Sequence, residues 1–268
     1  MSRKSWAAGD ACSRAVNLAL MVKNGGVTGI NSVLTAKIWG FYDVLFKGKE
    51  FKFQRPYGSY VMENVLFKIS YPAEFHSQTA CEAAMTLHHK LKEAGKIIDD
   101  IKHIRIRTQE AAIRIIDKKG PLHNYADRDH CIQYMVAVPL IFGRLTTTDY
   151  SDAIASDPRI DVLRAKMECV EDIKFSEEYH HPDKRSIGNA ILITLKDGTQ
   201  LDEVQVEYPV GHKFRRDEGI PLLMEKFARH LRGRFEESKA KTIEQASVKG
   251  NVENMDVDAY VDLYVTKK

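Results

Sequence analysis

Between Ser70 and Leu91 the chain reads SYPAEFHSQTACEAAMTLHHKL, and Glu74, His76, Ser77, Gln78 and Thr79 carry groups that move protons or bind anions. Glu74 and His76 are two apart in an extended approach and so point to one side. Ser77, Gln78 and Thr79 stand at the start of a small-residue helix, where free N–H groups and the positive end of the dipole favour an anion. A titratable pair beside such a helix end suits taking or giving a proton next to a carboxylate. The same residues also read as an ordinary helix start, with Thr79-x-x-Glu82 as a capping box.

Two cations extend this chemistry. Lys4 lies one residue before a helix start, where a substrate carboxylate would meet both an ammonium and the helix dipole. It is equally a solvated side chain near a terminus. Arg55, held before Pro56 and near Gly58, could aim its guanidinium at a carboxylate or pair with an acidic neighbour. The pairs His88-His89 and His180-His181 lack partners at metal-ligand spacing, and no H-E-x-x-H, Gly-rich phosphate loop or G-x-S-x-G elbow occurs. No metal is expected.

Several elements must position these groups. Ala8, Ala11, Ala15, Leu18, Ala19 and Val22 recur at helical spacing, which predicts a helix from Ser5 to Lys23 with Ser5 as cap and Asn24-Gly25-Gly26 as stop. Its stripe is mostly alanine, so it needs partner helices. A second helix is predicted over Asn31 to Trp39. The helix after Thr79 runs to Gly95, and Ile104, Ile106 and Thr108 alternate with Arg105 and Arg107 as a half-buried strand. A helix bent or interrupted near Pro139 fits Asp127 to Phe142, with short helical pieces at Asp149 to Ala155 and Arg159 to Met167. In NAILITLKDGTQLDEVQVEYP, alternation on both sides of Asp197-Gly198 predicts a β-hairpin. Helix returns beyond Gly211, with Pro221 in a first turn and a last stripe of Val257, Val261 and Val265.

The order helical, mixed, helical implies an α+β chain with three segments: a partial helical domain at 1–66, an α/β unit at 67–212 and closing helices at 213–268. Composition agrees with a globular protein of 268 residues, 44% hydrophobic and 29% charged. The longest apolar stretch, MVAVPLIFG from Met135, is far below the ~18 residues of a spanning helix, so no membrane partner is expected. Nor is nucleic acid: 40 basic residues are interleaved with 37 acidic ones for a net charge of +3. Cys12, Cys81, Cys131 and Cys169 are scattered without a C-x-x-C pair, which argues for free thiols and against a zinc or cluster site. The amino terminus has no secretory pattern, so an intracellular location is expected.

Four runs carry a resemblance: RKSWAAGDACSRAVNLAL, WGFYDVLFKGKEFKFQRPYGSYVMENVLFKISYPAEFHSQTACEAAMTL, IRIIDKKGPLHNYADRDHCIQYMVAVPLIFGRLT and VEYPVGHKFRRDEGIP. Over nearly the whole chain the sequence resembles the MmgE/PrpD family. The resemblance implies a helical domain with a smaller α/β lid inserted into it, and a hydro-lyase reaction, loss of water from 2-methylcitrate in the methylcitrate cycle of propionate breakdown. It implies no cofactor, since members work without an iron–sulfur cluster. Elimination must take a proton from carbon beside a carboxylate and expel a tertiary hydroxyl, so it needs a base, an acid and cations around the substrate. By resemblance Lys4 matches a family lysine and His76 a family histidine as catalytic residues, while an ungapped comparison with related decarboxylases falls on Glu74 instead. Arg55, Glu74, Ser77 and Gln78 are then expected to bind substrate.

Family members carry a long helical segment ahead of RKSWAAGD, whereas Met1 here stands three residues before Lys4. The resemblance therefore covers the carboxyl-terminal part of a dehydratase, and little turnover is expected of this chain alone. The alternatives are a non-catalytic lid-bearing subunit that needs a full-length partner, or a related tricarboxylate dehydratase or decarboxylase. A small tricarboxylate, a homodimer or association with a full-length homologue are the expected partners. The compartment implied is mitochondrial for a fungal protein and cytoplasmic for a bacterial one.

Overall fold

The computed structural model describes residues 4–26, 33–49, 52, 63–250 and 252–266, except the side chains of Lys4, Ser5 and Lys249. Contacts divide the chain into two units, Met1–Gly58 and Ser59–Lys268. In the first, helix α1 spans Lys4–Lys23, beginning one residue before the expected Ser5 cap. Gly25, at φ +75°, ends it, and the Gly26 N–H donates back to the Met21 carbonyl at 2.9 Å. The apolar stripe is not buried: Trp6, Val16, Leu18 and Val22 are each more than half exposed. The helix predicted over 31–39 is corrected over its described residues, 33–39. Residues 34–35 and 37–39 form turns, held where the Asp43 carboxylate accepts the Ile38 N–H at 2.6 Å, and helix α2 follows at Phe41–Phe46.

The second unit is built on a four-stranded sheet: β1 Ile101–Thr108, β2 Met167–Glu171, β3 Asn189–Leu195 and β4 Val204–Val206. Their order is β2-β1-β3-β4. β1 pairs parallel with β2, Ile104 opposite Met167, and antiparallel with β3, Ile106 opposite Ile191. The hairpin expected at Asp197-Gly198 is present, with Gly198 at φ +88° and Ile191 opposite Val204. β2 replaces the end of a predicted helical piece. Its five residues, MECVE, lie at the sheet edge with only Met167 buried, so they carry little apolar alternation.

Helix α3, Gln78–Glu93, lays Ala80, Ala83, Ala84, Leu87 and Leu91 into the core against the sheet. Small side chains let it approach closely, and α4, Glu110–Ile116, follows β1. After the short α5, Tyr125–Arg128, comes α6, Ile132–Phe142, whose residues from Ile132 to Leu140 are all buried. A helix apolar on every side belongs in an interior. The helix predicted over Asp127 to Phe142 is divided at residues 129–131, and its second part, α6, runs through Pro139 without interruption. Proline's missing N–H frees the Met135 carbonyl, and the Cys81 thiol of α3 donates to that oxygen at 3.4 Å. Gly143, at φ +65°, closes α6.

Helices α7, Asp152–Ala155, and α8, Pro158–Arg164, lead into β2, and α9, Ile173–His180, leads out of it. The chain then returns through β3 and β4 to α10, Arg216–Arg232, α11, Glu237–Glu244, and α12, Val257–Asp262. Pro221 is the sixth residue of α10 rather than in its first turn, and Val257, Val261 and Val265 are exposed. A separate small core joins Leu231, Ala240 and Ile243 to Phe227, Phe235 and Tyr264. The mixed helix and sheet content is that of an α+β fold.

Candidate active site

The Glu74–Thr79 segment enters α3 through a single 3₁₀ turn, Phe75–Ser77, and Glu74 caps that turn. Its carboxylate accepts the backbone N–H of His76 at 2.8 Å. The anion at this helix start is therefore supplied by the protein itself. The same carboxylate reaches His76 Nδ1 at 2.9 and 3.1 Å, so both of its oxygens face the imidazole. The two side chains are only 13% and 14% exposed. On the other side of the ring, Nε2 lies 3.2 Å from the hydroxyl of Tyr179 on α9. Glu74, His76 and Tyr179 thus form a continuous hydrogen-bonded chain.

Burial raises the Glu74 carboxyl, but the hydrogen bonds and charge of His76, with a smaller contribution from His130, outweigh it, and the net shift is downward. Glu74 is held as a carboxylate. His130 acts on Glu74 through its charge, and its Nδ1 lies 2.6 Å from the carboxylate of Asp129, whose carbonyl accepts the Glu74 N–H at 3.1 Å. Two histidine–carboxylate pairs therefore stand side by side.

The capping box is corrected. Thr79 does not cap α3; its hydroxyl donates to the Ile187 carbonyl at 2.5 Å and accepts from Asn189 Nδ2 at 2.7 Å. Asn189 also donates to the His76 carbonyl at 2.8 Å, which ties the start of β3 to the histidine backbone. Glu82 instead makes a two-point pair with Arg215, 2.9 Å at each oxygen. The helix already starts at Gln78, so Thr79 lies inside it and not at the cap position a box requires.

Ser77 and Gln78 are buried and turned inward. The Ser77 hydroxyl donates to the Glu74 carbonyl at 2.6 Å, and Gln78 Nε2 donates to the carbonyls of Tyr71 and Ala73 at 2.9 Å each. Both act on the turn that presents His76. Lys4 opens α1 in the first unit, with its side chain outside the described residues, and Arg55 also lies outside them. Sequence reasoning missed Tyr179, Asn189 and the Asp129–His130 pair. Tyr179 stood next to His180-His181, which were weighed only as metal ligands, and Asp129–His130 lay inside the run HNYADRDHC without a recognised role.

Among the described residues no group of three or more His, Cys, Asp or Glu side chains could hold a metal ion, and no helix is long and apolar enough to cross a membrane. A positioned imidazole with a carboxylate on one nitrogen and a phenol on the other can accept and return a proton, the work of general acid–base catalysis.

Residues 71–250 match the MmgE/PrpD C-terminal domain and residues 1–54 the MmgE/PrpD N-terminal domain. The chain is 75% identical over 267 residues to the mitochondrial 2-methylcitrate dehydratase of Yarrowia lipolytica, covering 100% of this chain and 51% of that protein. It is 68% identical to a probable 2-methylcitrate dehydratase of Saccharomyces cerevisiae, across 98% of this chain and 52% of the relative. The 2-methylcitrate dehydratase of Escherichia coli K12 is 61% identical, with 98% and 55% covered. The chain spans about half the length of these curated relatives.

Proposed function

The chain belongs to the MmgE/PrpD family, and we propose that it carries the lid half of a 2-methylcitrate dehydratase site. In this reading His76 exchanges the proton, taking it from the carbon beside a carboxylate or returning it to the departing hydroxyl as water. Glu74 fixes the ring through Nδ1 and stabilises its cationic form, as a buried carboxylate does for a catalytic histidine. Lys4 and Arg55 hold substrate carboxylates, and Ser77 and Gln78 set the turn rather than touch substrate. The observation that carries the reading is the Glu74–His76–Tyr179 chain at the start of α3. Identities of 61–75% to proteins named for this activity support it. The lid-type insertion into a helical base belongs to the same proposal, as does a mitochondrial location on the model of the Yarrowia relative.

The test follows the new carbon–carbon double bond by ultraviolet absorbance as a full-length relative dehydrates 2-methylcitrate, with the histidine matching His76 intact and with the change corresponding to His76→Ala. Loss of about 10² to 10⁴ in rate is expected for removal of the acid–base group. A His76→Ala protein that turns over at the native rate would take this residue out of the mechanism.

A second reading is a lid-bearing subunit that acts with a full-length partner. It is favoured by α1, which leaves Trp6, Val16, Leu18 and Val22 exposed. Gel filtration with a full-length homologue distinguishes the two: a subunit moves into a larger species, and an independent enzyme does not.

A further inference from the structure

The direction of each hydrogen bond around His76 follows from its partner. Glu74 is held as a carboxylate and has no proton to give, so the 2.9 Å bond at Nδ1 is donated by the ring. Nε2 is then bare in the neutral imidazole, and the Tyr179 hydroxyl, 3.2 Å away, donates to it. Both ring nitrogens are therefore covered. When the ring becomes cationic, Nε2–H donates to the phenol oxygen instead, and the phenol's own hydrogen is free for another acceptor. Tyr179 has no second hydrogen-bond partner among the described residues.

The phenol is placed by the packing of α9. Tyr179 stands four residues after Phe175, so the two side chains share one face of that helix. Phe175 is buried, its ring lies so close to Gly188 that an added Cβ there would stand 3.1 Å from it, and the Arg107 guanidinium of β1 sits 5.3 Å from its centre. Asp172 caps the same helix, accepting the Lys174 N–H at 3.0 Å. Tyr179 itself is half-buried, beside a His76 side chain that is only 14% exposed.

Resting on the dehydratase reading of this site, the geometry points to Tyr179 as a further catalytic residue, the acid whose hydroxyl protonates the departing oxygen and is reloaded by His76. In that step the proton on Nε2 of the imidazolium moves to the phenol oxygen while the phenol's own proton moves to the leaving hydroxyl. The C–O bond breaks with its electron pair on that oxygen, which departs as water. A general base takes the carbon-bound proton, and the pair of that C–H bond becomes the double bond. The ring ends neutral with Nδ1–H still on Glu74, and the phenol ends carrying the proton that came from Nε2. A neutral phenol oxygen is too weak a base to take a proton from carbon, so the relay serves the acid half of the elimination.

Two measurements test the relay. In this chain, long-range proton–nitrogen NMR of the His76 ring in mildly alkaline buffer should show Nδ1 protonated and Nε2 bare, and Tyr179→Phe should move the Nε2 resonance while Nδ1 stays. A protonated Nε2 in the neutral native ring, or an Nε2 resonance that ignores Tyr179→Phe, would overturn the assignment. In a full-length relative with a tyrosine at the matching position, the change corresponding to Tyr179→Phe should lower the single-turnover dehydration rate about 10²-fold and leave substrate affinity nearly unchanged. The native single-turnover rate in mixtures of light and heavy water should curve with deuterium content, because two exchangeable protons move together, and the variant should give a straight line. A straight line for the native enzyme would remove the relay and leave Tyr179 an orienting partner. Loss of activity on His76→Ala with a harmless Tyr179→Phe would likewise remove the relay and keep the dehydratase reading, whereas a harmless His76→Ala would end that reading and the role of Tyr179 with it.

Discussion

His212 should make the stability of the second unit fall steeply in mild acid. The imidazole is 1% exposed, with the tilted rings of Tyr208 at 4.5 Å and Phe214 at 5.0 Å between ring centres. Its Nδ1 accepts the Phe214 N–H at 3.2 Å, which requires that nitrogen to be unprotonated. Burial first, then the charges of Lys213 and Arg216, push the histidine down to about 4, against opposing hydrogen bonds with the backbone of Arg185 and Lys184. The unfolded chain, near 6.5, takes up the proton sooner than the folded one. Stability from neutral His212 is therefore complete above pH 6.5, declines as pH falls from 6.5 towards 4, and is flat below. At 1.36 kcal/mol for each pH unit, the gap from 6.5 to about 4 corresponds to about 3 kcal/mol. Urea unfolding at pH 7.5, 6, 5 and 4 should show the native protein losing about that much more than His212→Asn, which keeps an acceptor for Phe214 and cannot titrate. Parallel curves for the two proteins across this range would refute the reasoning.

At Gly211 a Cβ would sit 1.6 Å from the Phe67 carbonyl oxygen, so Gly211→Ala should cost roughly 3 kcal/mol or more, or prevent folding, by thermal melting. Arg215 bridges Glu82 and the Tyr208 carbonyl with both partners of the ion pair mostly buried, and a double-mutant cycle on Arg215→Met and Glu82→Gln should return a coupling of about 1–3 kcal/mol in urea unfolding. Glu74→Gln should preserve the turn through its amide oxygen while lowering dehydration at least about tenfold, since the ring loses the charge that stabilises its cation; unchanged turnover would reduce Glu74 to a cap. Because the folded Glu74 carboxyl lies below its ordinary value, its contribution to stability is present above about pH 4.5 and lost as pH drops through the folded value, and Glu74→Gln should flatten that limb of an acid-unfolding curve.

The parts of the fold legible from sequence were those where one period dominates. Alternation in Ile101–Thr108 and around Asp197-Gly198 reported three of the four strands, because those strands bury one face in the core. Met167–Glu171 hid itself as an edge strand with one buried side chain, and the Asn31–Trp39 apolar run lacked any signal for the turn that Asp43 stabilises. Pro139 does not interrupt α6, and the Met135 carbonyl it frees meets Cys81, 58 residues before the proline and adjacent only in space. At the site, Glu74 and His76 were found by their spacing, and the structure joins them. Tyr179 could not be, since a lone tyrosine carries no pattern and its meeting with His76 depends on the packing of α9. The anion reading of the helix start was sound in its physics; the sequence did not reveal that Glu74 would fold back to be that anion.

The placement of β1 at the middle of the sheet has a consequence for biosynthesis. Its partner β3 begins 81 residues after β1 ends, with β2 arriving between them. At about 5 to 20 residues per second, the ribosome needs roughly 4 to 16 s to deliver that partner. Throughout that interval the Ile104 and Ile106 strand has an open edge, the kind of nascent surface that chaperones occupy. Chains stalled before Asn189 should accordingly be protease-sensitive and chaperone-bound, and release should follow once Leu195 has left the exit tunnel.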